Sequence, residues 1–176
     1  GEGDPLDRLR NPELHAAFAA AKKAGKARFL GATGHDGDLM AIMGWVVESG
    51  RFDVMLCRYN FMDYPEQHLL FEKAEKAGMG IAVMKTLSGA RQEDLKLFQN
   101  NGASFAQAAL KWVLANPHLD TAVISVATAA QAAEYAGASG APLTRAELDL
   151  LETYAARHSR DYCRMCNACE TACPAS

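Results

Sequence analysis

Apolar positions along the chain switch between two spacings, and the switches mark its elements. Stretches with apolar residues every three or four positions read as amphipathic helices, and short unbroken apolar runs between turn residues read as strands. Residues 1–10 are polar and turn-rich and read as a loop. Asn11-Pro12 then opens a helix with a capping oxygen followed by a residue suited to the first helical position. Leu14, Ala17, Phe18 and Ala21 form its stripe, and Gly25 stops it. Phe29-Leu30-Gly31-Ala32 reads as the first strand.

The unit then repeats. Asp38 opens a helix carrying Leu39, Ile42, Met43, Val46 and Val47, ended by Ser49-Gly50, and Phe52 to Leu56 is the next strand. Pro65 opens a third helix with Leu69, Leu70, Ala74 and Ala77 inward and Gly78 as its stop, and Ile81 to Met84 is the third strand. A long connection over residues 85–103 carries a short helical pattern at Asp94–Phe98. Connections of that length are uncommon and often functional. Ser104 and Gln107 form a capping-box pattern for a helix through Ala115. Thr121 to Val126 reads as the fourth strand, and Thr128 opens a helix broken near Gly137 and Gly140. Thr144 and Glu147 form a second capping-box pattern, for a helix with Leu148, Leu151 and Tyr154 on its stripe.

Alternating helices and apolar-throughout strands predict an α/β fold with a parallel sheet buried on both faces. Glycines at 25, 50 and 78 mark a repeat of about 25 residues, close to the (β/α) unit of a TIM barrel. The repeat count fits half of a (β/α)8 barrel. A doubly wound sheet is the alternative, but Gly31-Ala32-Thr33-Gly34-His35-Asp36-Gly37 lacks the G-x-G-x-x-G spacing of a dinucleotide fingerprint. A half-barrel would leave strand edges unpaired and one sheet face half covered, so the isolated 176-residue chain is expected to self-associate or to behave as a fragment.

Composition narrows the partners. The chain is 49% hydrophobic and 22% charged, with a formal net charge of −3. No basic patch suggests nucleic acid, and no apolar run approaches membrane-spanning length.

The strongest chemical signal is at the end of the chain. Cys163, Cys166, Cys169 and Cys173, with Pro174 after the last, follow the ferredoxin run C-x2-C-x2-C-x3-C-P, whose thiolates hold a [4Fe–4S] cluster. Two intervening residues let a loop wrap a compact cluster and present successive sulfurs to neighbouring irons. A zinc knuckle and a disulfide or free-thiol tail are the rival readings; zinc sites usually pair two C-x2-C units across a longer gap. Cys173 would close the same cluster or reach a second one, since in two-cluster ferredoxins the fourth cysteine ligates the other cluster. The chain therefore divides into a barrel portion, residues 1–158, and a cluster-binding segment, residues 159–176. Such a segment suits a reducing compartment such as the cytoplasm; a twin-arginine leader for export of the folded protein would lie upstream of Gly1.

Several segments together resemble the aldo/keto reductases, in the branch with a C-terminal ferredoxin-type tail. Gly25-Lys26-Ala27-Arg28-Phe29-Leu30-Gly31-Ala32-Thr33 is similar to that family's "GK-x-R-x-x-G-x-S" strand, and Asp53 to Asn60 to its "D-x-x-Q-x-x-YN" strand. Gly80 to Gly89 is similar to the segment after the next helix. Ser104 to Pro117 resembles "S-x-A-Q-x-A-L-x-W-x-L-x-x-P", and Pro142-Leu143-Thr144 with Glu147 resembles "PLT-x-x-E". The resemblance covers nearly the whole chain and implies strands five to eight of the barrel. The family's Asp, Tyr, Lys and His tetrad lies in the other half, so no catalytic residue is assigned here.

The resemblance also implies NAD(P)H contacts at the strand ends: Thr33, Gly34, Leu56, Met84, Lys85 and Ser125. These depart from the family in kind. Thr33-Gly34 replaces Ser-Asn, Leu56 replaces Gln, Met84 replaces the aromatic that stacks on nicotinamide, and Ser125-Val126 replaces Pro followed by Gly or Lys. No basic residue for a 2′-phosphate lies between Ser125 and Gln131. The expected function is NAD(P)H-linked reduction of a small carbonyl or related substrate, with the cluster passing single electrons to a protein partner. The alternative is a non-catalytic electron-transfer or scaffold module. Arg58, Tyr59 and Asn60 are expected to hold a loop, Cys57 to be a buried small apolar residue, and His158 to be solvent-exposed.

Overall fold

The computed structural model describes residues 4–34, 38–62, 66–87, 90, 98, 104–159 and 162. Two helices, α1 (Pro5–Arg10) and α2 (Pro12–Lys23), lead into β1 (Gly31–Gly34). Then follow α3 (Leu39–Ser49), β2 (Val54–Arg58), α4 (Gln67–Lys76) and β3 (Gly80–Met84). The remaining elements are α5 (Phe105–Leu114), β4 (Thr121–Ala122), α6 (Ala129–Ala136) and α7 (Arg145–His158). The four strands form one parallel sheet in the order β1-β2-β3-β4. A parallel sheet in chain order with helical crossovers is the α/β arrangement of a partial TIM barrel, as expected.

Each repeat ends the same way. Gly25, Gly50 and Gly78 take φ values of 69°, 61° and 71°, the left-handed conformation in which a side chain would be strained. Asp38 caps α3 as its sequence predicts, accepting from Ala41 N–H at 3.2 Å.

Among the described residues, helices cover one face of the sheet. Ala32, Met55, Cys57, Ile81 and Val83 are buried with Met43, Val46, Val47, Leu70, Phe71 and Ala74 of α3 and α4. Side chains alternate across a strand, and the opposite face carries Thr33, Leu56, Ala82 and Met84, none of them buried, with Arg58 buried at its carboxyl end. Val123, just beyond β4, is 52% exposed. The expectation of a sheet buried on both faces is therefore corrected: the unbroken apolar runs encode a second face that the described residues leave open. Cys57 is fully buried, as expected of a small apolar side chain. Met43, Met55, Met62 and Met79 are buried gap-fillers.

Other boundaries also moved. Residues 5–10 form a helix rather than a loop, because Asp4 accepts from Leu6 N–H at 2.9 Å and Pro5 takes the first helical position. The first strand begins at Gly31, not Phe29. Ahead of it, Leu30 is held by Asp53, whose carboxylate accepts from Leu30 N–H at 2.7 Å and from Lys22 Nζ at 2.7 Å. Those bonds hold the Asp53 carboxyl below its usual value. Phe29 is 60% exposed. Leu69 faces solvent and Phe71 takes the inward place on α4. The fourth strand is two residues long rather than six, having a neighbour on one side alone among the described residues. At α5, Ser104 Oγ accepts from Gln107 N–H, but Gln107 Nε2 donates to the Glu134 carbonyl at 2.8 Å instead of closing the box. The short helix at Asp94–Phe98 and the helix start at Pro65 lie outside the described residues.

A second core lies between α5 and α7, built on Phe105, Ala108, Ala109, Leu150, Leu151 and Tyr154. Beside it Lys111 and Glu147 pair at 2.6 Å with side-chain exposures of 11% and 6%. Burial opposes ionisation of Glu147, but hydrogen bonds from Lys111 and Thr144 overcome it and hold the carboxyl below its usual value. Both halves of the Thr144–Glu147 capping box form.

Two outcomes follow from this packing. Lys111→Met leaves Glu147 buried without its cation and should cost about 3–5 kcal/mol in denaturant unfolding. The double variant Lys111→Met/Glu147→Leu should recover most of that loss, and a double variant as unstable as the single one would show that the pair contributes net stability. The 176-residue chain should also self-associate through its open sheet face; a sharp monomeric light-scattering peak with cooperative unfolding would contradict this.

Candidate functional site

Parallel pairing brings every carboxyl end of the sheet to one rim. Register aligns Gly34 with Cys57 and Arg58 with Met84. Two cavities reach it. One of about 640 Å3 runs along β1 from Leu30 and Gly31 at its start to Thr33 and Gly34 at its end, between Leu9 and Phe18 on one side and Met84 on the other. The other, of about 340 Å3, is lined by Met84, Lys85, Thr86, Val123, Ile124 and Ser125. Met84 is common to both. Five of the six residues expected to contact a cofactor are thus brought to two adjoining cavities. Leu56 lines neither; it lies on the intervening strand, in register with Thr33 and Ala82 on the open face.

Lys85 is the one non-glycine residue with positive φ among the described residues, at 59°. Such a backbone costs of order 1 kcal/mol or more and persists where its surroundings over-determine it. Those surroundings are visible. Tyr59 N–H donates to the Met84 carbonyl at 3.0 Å, and Asn60 Nδ2 donates to the Lys85 carbonyl at 3.2 Å. The bend leaves the Lys85 side chain exposed at the cavity mouth.

Thr86 is a residue that sequence reasoning missed. It is 1% exposed, and its Oγ1 has no hydrogen-bond partner among the described residues. A buried hydroxyl without a partner costs about 1–3 kcal/mol. Its signal in the sequence is weak: a hydroxyl residue following lysine at a strand end.

Gly34 has a packing reason to be glycine. A Cβ there would stand 3.1 Å from Met43 Sδ and 3.3 Å from Leu39 Cδ1. For the carboxamide that the resemblance would put at this position, the ends of Met43 and Leu39 would have to give by a few tenths of an ångström.

Arg58, Tyr59 and Asn60 do more than hold a loop. Arg58 and Asn60 are 6% and 1% exposed. Both reach Tyr162: Arg58 Nη2 donates to its Oη at 2.6 Å, and Asn60 Nδ2 lies 3.2 Å from the same atom. The guanidinium also lies over the Tyr162 ring, 5.4 Å from its centroid. Tyr162 was not singled out in the sequence, although an aromatic immediately before Cys163 is its mark. His158, expected in solvent, is half-buried against Tyr154 with ring centroids 4.4 Å apart. Cys163, Cys166, Cys169 and Cys173 lie outside the described residues. Among the described residues there is no group of three or more His, Cys, Asp or Glu able to hold a metal, and no helix long and apolar enough to cross a membrane.

Taken together, the cavities offer an exposed ammonium at Lys85, hydroxyls at Thr33 and Ser125 with that of Thr86 buried beneath, and a half-exposed apolar surface at Met84. That combination suits a ligand with an anionic portion and a flat apolar portion.

The fold has clear counterparts. An aldo-keto reductase from Bacillus halodurans, AKR11C1, superposes in its holo form with a TM-score of 0.58 at 18% identity, over 85% of this chain and 56% of that one. Its apo form superposes with the same TM-score and identity, over 86% and 57%. The chain thus has the fold of aldo-keto reductases over a little more than half their length. No family model and no curated protein sequence matches it.

The strain at Lys85 sets function against stability. Lys85→Gly should raise unfolding stability by about 1 kcal/mol, because glycine adopts that φ freely. Unchanged or lower stability in thermal or urea unfolding would mean that the bend carries no strain.

Proposed function

We propose that this chain is the cofactor-binding, cluster-bearing half of an aldo/keto reductase-type oxidoreductase. The observation that supports the reading is that Thr33, Gly34, Met84, Lys85 and Ser125, all at or just beyond strand ends, line two cavities that share Met84, in a sheet with the aldo-keto reductase fold. Ligands of such sheets bind at the carboxyl rim.

The residues present fit a dinucleotide in its phosphate part better than in its nicotinamide part. Lys85 supplies charge, and Thr86 Oγ1 is a buried hydroxyl awaiting a partner. At the ring end, Leu56 and Met84 offer apolar contact in place of an amide and an aromatic face. A bound nicotinamide would supply a hydride. The role of this chain would be to orient the ring on Met84, which both cavities share, and to neutralise phosphate charge with Lys85. The proton donor for carbonyl reduction would come from the other barrel half, with a small carbonyl or related compound as substrate.

The spacing of Cys163, Cys166, Cys169 and Cys173 supports a [4Fe–4S] cluster on the same chain. Four thiolates are a soft donor set suited to iron–sulfur clusters, and in a ferredoxin run they can pass single electrons to a protein partner. The apolar replacements at Leu56 and Met84 favour a second reading, an electron-transfer or scaffold module whose pocket has lost nicotinamide.

An anaerobic absorption spectrum with iron and sulfide counts tests the cluster. A broad band near roughly 400 nm that bleaches with dithionite, with about four irons per chain, is expected; a colourless protein with one zinc would reduce the tail to a knuckle. Titration with NADPH and NADH tests the pocket. Binding should weaken about tenfold or more in Lys85→Gly, the effect of losing one charge-assisted hydrogen bond. No binding of either nucleotide to the full-length protein would leave the scaffold reading.

A further inference from the structure

The residue that precedes the cysteine run, Tyr162, is half-buried against Arg58 and Asn60 at the end of β2. Tyr162 is followed directly by Cys163, and consecutive Cα atoms are about 3.8 Å apart. Wherever Tyr162 is fixed, the cysteine run must begin. Its hydroxyl is held by Arg58 Nη2 at 2.6 Å, and Asn60 Nδ2 and Oδ1 lie 3.2 and 3.4 Å from it. Arg58 stands in register with Met84, at the end of β2 and on the open face of the sheet. The contact therefore joins residues 104 positions apart at the carboxyl end of the sheet.

The same asparagine reaches the pocket. Asn60 Nδ2 donates to the carbonyl of Lys85, the strained residue of the smaller cavity. Asn60 Oδ1 accepts from Met62 N–H at 2.9 Å, which fixes which way the amide points. With that orientation set, movement of Tyr162 is felt at Lys85 through one side chain.

We propose that Tyr162 is a positioning residue that latches the start of the cysteine run to the rim of the cofactor pocket, and that Asn60 couples this latch to the Lys85 bend. The inference rests on the proposed reading of that rim as a nucleotide site. Coupling is reciprocal: a nucleotide that steadies Lys85 steadies the tail, and a docked tail pre-organises the bend.

Amide hydrogen exchange on the full, anaerobically reconstituted chain tests this, with and without saturating NADPH, in wild type, Tyr162→Phe and Tyr162→Ala. The phenylalanine variant keeps the ring over Arg58 and removes only the hydroxyl; the alanine variant removes both. Losing a hydrogen bond to a buried cation should speed exchange roughly tenfold in residues 163–176 and at Lys85–Leu87, with the amides of α3 and β2 unchanged. NADPH should slow exchange in residues 163–176 of the wild type and not in Tyr162→Phe. A merely structural tyrosine would not abolish that ligand-linked protection. Unchanged exchange in both variants, or a loosened tail with Lys85–Leu87 unaffected, overturns the latch. Iron counts and NADPH titration on the same samples report separately on cluster and pocket. A chain without iron, or one that binds no nucleotide, defeats that part of the functional reading while the unliganded exchange still decides the latch.

Discussion

The pairing of β2 between β1 and β3 is the constraint on which everything else depends. Register between Thr33 and Leu56, and between Leu56 and Ala82, sets which side chains go under α3 and α4 and which stay on the open face. A slip of one residue would exchange the two sets and put Met55 and Cys57 on the open face. The same pairing ends β1 at Gly34, β2 at Arg58 and β3 at Met84, so three turns converge on one rim. Chemistry collects there because the ladder stops there. Past the last paired residue the chain bends, and it can present Lys85 at the mouth and carry Thr86 into the interior.

Much of this was legible in the sequence, where local rules agreed with one another. Asp38, Thr144 with Glu147, and the glycines at 25, 50 and 78 each signal a helix end by a single mechanism, and each behaves that way. What escaped was decided across the chain. The strand at Phe29 starts late because Asp53, more than twenty residues on, takes the Leu30 N–H that a ladder would otherwise claim. Gln107 abandons its own helix cap for a carbonyl of α6. The Asp4-Pro5 signal was local and was passed over, because a turn-rich composition was read ahead of the cap. At the candidate site, the strand-end residues were singled out by their position, but Thr86 and Tyr162 were not. A hydroxyl or an aromatic gains meaning only when a partner distant in sequence buries it.

The glycine at 34 shows how a functional departure can have a structural origin. Met43 and Leu39 fill the space that a side chain would need. An amide at this position would need the ends of Met43 and Leu39 to give by a few tenths of an ångström, and Met43 is fully buried among the core residues. In the proposed reading, the ring end of the pocket is thereby tied to the helix-covered face of the sheet. Tight packing under α3 and a carboxamide at the rim compete for the same few ångströms.

A hydride donor moves two electrons and a [4Fe–4S] cluster moves one, so an enzyme using both must hold an intermediate oxidation state somewhere or deliver electrons in sequence to a partner. Either route is steeply sensitive to how far apart the two centres stand. A cysteine run at the end of a chain has no reason of its own to lie near a strand-end pocket. In the proposed latch, Arg58 and Asn60 supply one. Burying an arginine near the mouth is expensive unless its hydrogen bonds are satisfied, and Tyr162 satisfies one of them at 2.6 Å. The residue next to Cys163 in the sequence thereby contributes to the stability of the end of β2.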